Sequence, residues 1–194
     1  MLQQETLRLF IAIELSKELK DAIHSLVEKL KISDTNSSIR WVSYGDVHIT
    51  LKFLGEVVKA KIPSLEEAIK NTTSNRNAFE LSLSGTGVFP NERQPSVFWV
   101  GMRDNDSLIE LATSVIKECT NAGFPEENRP FSPHITIGRA RDKADPANLT
   151  KIASLLKSLN VRKESQLIDH INLIWSQLTT KGPVYTILDT ATFS

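Results

Sequence analysis

Val47-His48-Ile49-Thr50-Leu51 and Pro133-His134-Ile135-Thr136-Ile137 are two versions of one pattern, set in different halves of a 194-residue chain. In each, apolar residues alternate with a histidine and a threonine. That is the period of a β-strand, whose successive side chains point to opposite faces. His48 and Thr50 therefore share a face, as do His134 and Thr136, while the aliphatic residues between them point to a core. A single His-x-Thr is usually just a half-buried strand segment. Two copies, each followed by the same kind of apolar residue, argue that two imidazoles and two hydroxyls are presented as matched pairs from two similar strands.

Working outward, Leu7–Ile13 reads as a buried strand ending near Glu14. Ser16 is a candidate N-cap for a helix to about Lys31, with Leu19, Ile23, Leu26, Val27 and Leu30 on one face. The polar stretch Ser33–Ser38 reads as a loop, and Arg40-Trp41-Val42 as a strand or hairpin leading into the first His-x-Thr strand, Val47–Leu54. Lys61–Thr73 fits a helix with Pro63 in its first turn. Phe79–Leu83 alternates, Gly85-Thr86-Gly87 breaks the pattern, and Phe89-Pro90-Asn91 turns the chain toward a strand at Val97–Met102. Leu108–Thr120 is an amphipathic helix closing at Gly123. Beyond the second motif strand, Ile135–Arg139, a helix at Pro146–Leu159 precedes strands at Ile171–Ser176 and Val184–Phe193. Strands in pairs separated by helices indicate an α+β fold with antiparallel sheets and helices outside. The duplicated motif adds two related lobes facing each other. No linker separates them, so residues 1–194 are expected to form one bilobal domain.

Lys+Arg and Asp+Glu both total 23, which argues against a broad electrostatic grip on long nucleic acid but leaves room for a small phosphorylated ligand. Cys119 is the only cysteine, so no intrachain disulfide can form. No 18-residue apolar stretch and no signal-peptide core is present, and a cytoplasmic, membrane-free monomer is expected. Two histidines near neutrality can hold opposite protonation states, so one takes a proton from water while the other gives one to a leaving alkoxide. A threonine one pleat away can hold a phosphate oxygen. For a cation the candidates are Arg139, at an odd offset from His134, and Lys52, at an even offset from His48 and so formally on its face. Metal binding is the rival use of paired histidines, but two ligands without cysteine or carboxylate at ligand spacing are too few. His24, on a helix, and His170, at a turn, read as solvated side chains. Walker A, Rossmann and nucleophile-elbow patterns are absent.

These residues carry a resemblance that covers nearly the whole chain. Arg8-Leu9-Phe10-Ile11-Ala12-Ile13, Arg40-Trp41-Val42, Val47–Gly55, Gly87-Val88-Phe89-Pro90, Arg129–Arg139 and Gly182–Leu188 together resemble the RNA 2′,3′-cyclic phosphodiesterases. These are also called 2′–5′ RNA ligases, within the two-histidine phosphoesterase superfamily. The resemblance implies a bilobal, pseudo-two-fold fold whose two sheets line a central cleft, each donating one His-x-Thr. It implies hydrolysis of a ribose 2′,3′-cyclic phosphate at an RNA or nucleotide end to a 2′-phosphomonoester, with neither metal nor cofactor, and reversible 2′–5′ ligation. By the same resemblance His134 is the general base and His48 the general acid. Thr50, Thr136 and Arg139 bind the phosphate, and Phe10 and Trp41 are candidates for stacking on a base, the alternative for both being core packing. Trp175 stands where the family commonly has a smaller residue. A binding module of the same fold without turnover is the alternative function.

Overall fold

The computed structural model describes residues 5–103, 106–126, 129–180 and 182–194. In chain order the elements are β1 (Thr6–Glu14), α1 (Lys17–Ser33), β2 (Ile39–Trp41), β3 (His48–Val58), α2 (Ile62–Thr73), β4 (Phe79–Phe89) and β5 (Val97–Arg103). They continue with α3 (Asp106–Asn121), β6 (Ile135–Ala140), α4 (Pro146–Ser158), β7 (Ser165–Ile168), β8 (His170–Thr179) and β9 (Gly182–Thr192). Two sheets result, one ordered β3-β1-β8-β9 and the other β2-β6-β5-β4-β7. Every pairing in them is antiparallel. The α+β class and the two-sheet, bilobal arrangement are as the sequence indicates.

The apolar stripes account for the layers. Helix α1 buries Leu19, Ala22, Ile23, Leu26, Val27 and Leu30, and Ser16 caps it by accepting from the Leu19 N–H. Each of the leucine, isoleucine and valine side chains removed from water stabilises by roughly 1.5–3 kcal/mol. The helices pack outside: α2 against β8, β9 and α3, α3 also against β3, and α4 against β4. The two sheets are stitched by Gln166 of β7. Its amide accepts from the Ser16 N–H at 2.7 Å and donates to the Glu14 carbonyl at 2.9 Å, where β1 passes into α1. No helix among the described residues is long and apolar enough to cross a membrane.

Two local expectations are corrected, and one further strand is present. The segment before the first motif does not form a hairpin with it: β2 crosses to the other sheet and pairs with β6, Arg40 opposite Arg139 and Trp41 opposite Gly138. Nor do the glycines end β4, which runs through them to Phe89 with a register shift between Leu83 and Thr86. Gly85 at φ +73° supplies the irregular backbone. Gly87 lies directly across from Trp99, and a Cβ there would fall inside the indole. Gly87→Ala should therefore destabilise the fold by roughly 1–3 kcal/mol through overpacking; an unchanged midpoint in urea would show that Trp99 has room to move. The further strand is β7, which alternates too briefly to stand out in the sequence and exists by pairing with β4.

Candidate active site

The strict two-residue period fails at the same place in both motif strands. Along β1 and β3, Ala12 lies opposite Thr50 and Ile11 opposite Lys52, so Leu51 is an extra residue, a β-bulge. Along β5 and β6, Trp99 lies opposite Thr136 and Phe98 opposite Gly138, which makes Ile137 the extra residue. Each bulge comes three residues after its histidine and resets the alternation. The residue five beyond each histidine, Phe53 and Arg139, thereby rejoins the face of the His-Thr pair. Arg139 lines the same cavity as His48, Thr50, His134 and Thr136. Arg40, directly opposite Arg139 on β2, adds a second cation to that face of the sheet.

The bulge has the opposite effect on Lys52. It is not on the His48 face: it is turned into the protein, 3% exposed, with its ammonium donating to the Pro125 carbonyl at 2.8 Å. Trp41 is also placed elsewhere. Its indole N–H donates to Asp34 at 3.2 Å, and its ring packs over Gly138, where an added Cβ would come within 2.9 Å of it. Its neighbour Val42 lines the cavity instead. Phe10 does line the cavity but is only 3% exposed, and it stacks on the His48 ring at a centroid distance of 4.9 Å. It supports the imidazole from beneath.

The two histidines are held alike. Nδ1 of His48 lies 2.7 Å from the Asp46 carbonyl, and Nδ1 of His134 lies 2.7 Å from the Ser132 carbonyl, each two residues back along the chain. A carbonyl only accepts, so in both rings Nδ1 carries the hydrogen. That leaves both Nε2 atoms as the nitrogens available to exchange a proton. A 3₁₀ turn at Tyr44–Asp46 delivers the first carbonyl, and the stiff Pro130-Phe131-Ser132-Pro133 segment the second. Aromatic rings fix the imidazole planes: Phe10 and Tyr185 (5.4 Å, edge-on) around His48, and Phe89 (5.1 Å, edge-on) against His134.

Successive halves of the chain, residues 13–99 and 100–185, each match the profile of the LigT-like phosphoesterases. The chain belongs to that family. Within it, the chain is 34% identical to an RNA 2′,3′-cyclic phosphodiesterase of Methanothermobacter thermautotrophicus, over 94% of this chain and 96% of that one. The Thermotoga maritima protein of the same description is 32% identical over 94% and 93%. Among solved structures, Escherichia coli LigT complexed with 3′-AMP superposes with a TM-score of 0.74 at 27% identity, covering 98% and 99% of the two chains. The double profile match mirrors the doubled motif and the doubled bulge.

Burial drives the electrostatics of this phosphoesterase site. The rings packed on His48 desolvate it and lower its pKa from the ordinary 6.5, outweighing the Asp46 carbonyl, which favours the charged form. An NMR titration should place the His48 inflection below 6.5, and Phe10→Ala should move it upward; an inflection at or above 6.5 in the native chain would contradict the burial argument. The sign carries to stability. The unfolded chain takes up this proton first as pH falls, so the neutral ring's contribution is present above the ordinary value and lost as pH drops through the lowered one. Tyr185, also on the cavity wall, has its phenol raised by burial. Cys119 is buried and pushed up to about 11, which suits a core thiol and not a nucleophile.

Among the described residues no group of three or more His, Cys, Asp or Glu side chains is arranged to hold a metal ion. Arg8, Asp46, Phe53, Ser176 and Tyr185 complete the cavity wall and were not singled out by the sequence pattern. A signal for Phe53 was available: it occupies in the first motif the place Arg139 occupies in the second. For Tyr185 and Ser176 there was none, because only the pairing of β8 with β1 and β9 brings them beside Phe10. Trp175, opposite Leu9, packs against the main core, on the other side of the sheet from Ser176.

Proposed function

We propose that this chain hydrolyses ribose 2′,3′-cyclic phosphates at RNA or nucleotide ends to 2′-phosphomonoesters. The observation that carries the reading is the matched anchoring of His48 and His134, which leaves two Nε2 atoms on the wall of one cavity beside two threonine hydroxyls and a guanidinium. Thr50, Thr136 and Arg139 hold the non-bridging phosphate oxygens and offset the charge that grows on them as phosphorus becomes five-coordinate. His134 Nε2 takes a proton from water as the water oxygen bonds to phosphorus. The bond from phosphorus to O3′ breaks, and His48 Nε2 gives its proton to O3′. A lowered pKa makes protonated His48 a strong donor, and the arriving phosphate anion offsets the burial that disfavours its charge. Replacing water by a ribose 5′-hydroxyl in the same geometry gives 2′–5′ ligation, which is the reverse of cleaving that linkage.

The two imidazoles account for both proton transfers, so the proposal includes no metal, and EDTA is expected to leave the rate unchanged. The cavity, of about 220 Å³, fits a ribose phosphate better than a whole nucleotide. Beyond His48 a second groove, lined by Val184, Tyr185 and Ile187, adjoins it and is where the terminal base would lie. Phosphorus NMR on a 2′,3′-cyclic nucleotide tests the reaction directly. The expected product is the 2′-phosphomonoester, and a 3′-phosphate or an untouched substrate would overturn the reading.

A further inference from the structure

The cavity wall carries two guanidinium groups, one more than a single cyclic phosphate needs once two threonines are also present. Arg8 is the second. It lies on β1 two residues from Phe10, and its guanidinium carbon sits 4.8 Å from the centre of the Phe53 ring. Phe53 is 48% exposed in the wall of a cavity, held there by the Leu51 bulge and stacked under a cation. A cation braced on an aromatic face is preorganised, so less of its conformational freedom is lost on binding an anion.

The charge pattern gives that anion a direction. At the His48 end of β1 the groove is acidic, lined by Glu14 and Asp46. At the other end stands Arg8, and a strand rise of about 3.3 Å per residue sets it roughly 7 Å beyond the ring that supports His48. That is comparable to the separation of neighbouring phosphates along an extended single strand. A polyanion entering this cleft is therefore drawn along β1 away from Glu14 and toward Arg8, where it must outcompete Glu56, the cross-strand neighbour of Arg8.

Resting on the reading that the cavity takes a terminal cyclic phosphate, we propose that Arg8, braced on Phe53, binds the phosphodiester one nucleotide 5′ of the reacting end. The preferred substrate is then a chain end of two or more nucleotides and not a cyclic mononucleotide. The test compares kcat/KM for a trinucleotide ending in a 2′,3′-cyclic phosphate with that for the cyclic mononucleotide. The native chain should favour the trinucleotide by about tenfold or more, and Arg8→Gln should remove most of that ratio. The salt dependence of log KM for the trinucleotide should become shallower by roughly 0.7, one phosphate contact on a single strand. Phe53→Leu, which keeps the cation but removes its brace, should lower the ratio less, with melting curves checking that both variants fold. A native ratio near one, or a ratio unchanged in Arg8→Gln, overturns the proposal. If neither compound is hydrolysed, the proposed reaction fails by itself. Equilibrium binding of a 2′-phosphorylated trinucleotide against a nucleoside 2′-phosphate then decides the subsite: tighter trinucleotide binding that depends on Arg8 upholds it, and equal binding ends it.

Discussion

Replacing His134 by alanine should lower kcat on a 2′,3′-cyclic nucleotide by roughly 10²–10⁴-fold, with KM changing far less, and His48→Ala should do the same. Both rings stand at the cavity wall with their inner nitrogens fixed by carbonyls; in the proposed mechanism, removing either deletes a proton transfer and leaves the proposed phosphate contacts of Thr50, Thr136 and Arg139 in place. The double variant should be little slower than the worse single one, since the two act in one transition state and their losses do not add. The two roles separate by leaving group. On a phosphodiester that expels p-nitrophenolate, which needs no protonation to depart, His48→Ala should recover most of its lost rate and His134→Ala should not. The opposite pattern would exchange the acid and the base. Retention of native kcat in either variant would remove that histidine from the chemistry altogether.

How much of this is legible in the sequence follows from the range over which each feature is determined. The paired motif strands, the helices and their apolar faces rest on local periodicity, and these read correctly along the chain. Lys52 shows where periodicity stops. Counting by twos puts it beside His48, whereas one extra residue in the pairing with β1 turns it into the protein against Pro125. A second, matching bulge at Ile137 turns Arg139 inward despite its odd offset, so one kind of structural device excludes Lys52 from the cavity and admits Arg139. Bulges are set by pairing with a partner strand, and nothing in Leu51 or Ile137 announces one. Trp41 fails for a related reason: its neighbours Gly138 and Asp34 come from another strand and from the end of α1. The wall residues Tyr185 and Ser176 depend on the order of strands in a sheet, which is the longest-range property of all.

Asp34→Ala should cost on the order of 3–4 kcal/mol of stability, as much as truncating a large core side chain. Asp34 lies in the polar stretch that reads as an ordinary loop, yet it is 8% exposed and its carboxylate accepts from four donors. These are the N–H groups of Ser38 (2.8 Å) and Ile39 (3.1 Å), the Trp41 indole (3.2 Å) and the Asn148 amide (3.0 Å). Asn148 also donates to the Ser38 hydroxyl, so the end of α1, the start of β2 and the first turn of α4 share one buried polar cluster. Hydrogen bonds to a charged acceptor are worth more than neutral ones, and each buried donor left without a partner costs about 1–3 kcal/mol before water enters to compensate. For a chain of this size the loss corresponds to a fall of roughly 10 °C in melting temperature. Asp34→Asn is the sharper comparison, because it keeps the shape but turns an amide N–H toward the donors, so it should recover less than half of the loss. The catalytic consequence is indirect. Strand β2 is the element that carries Val42 to the cavity and sets Arg40 opposite Arg139, so below the lowered melting point kcat should change only severalfold. A melting temperature within about 2 °C of the native chain in Asp34→Ala would mean that the four donors find other partners, and that the meeting point of α1, β2 and α4 is held by apolar packing alone.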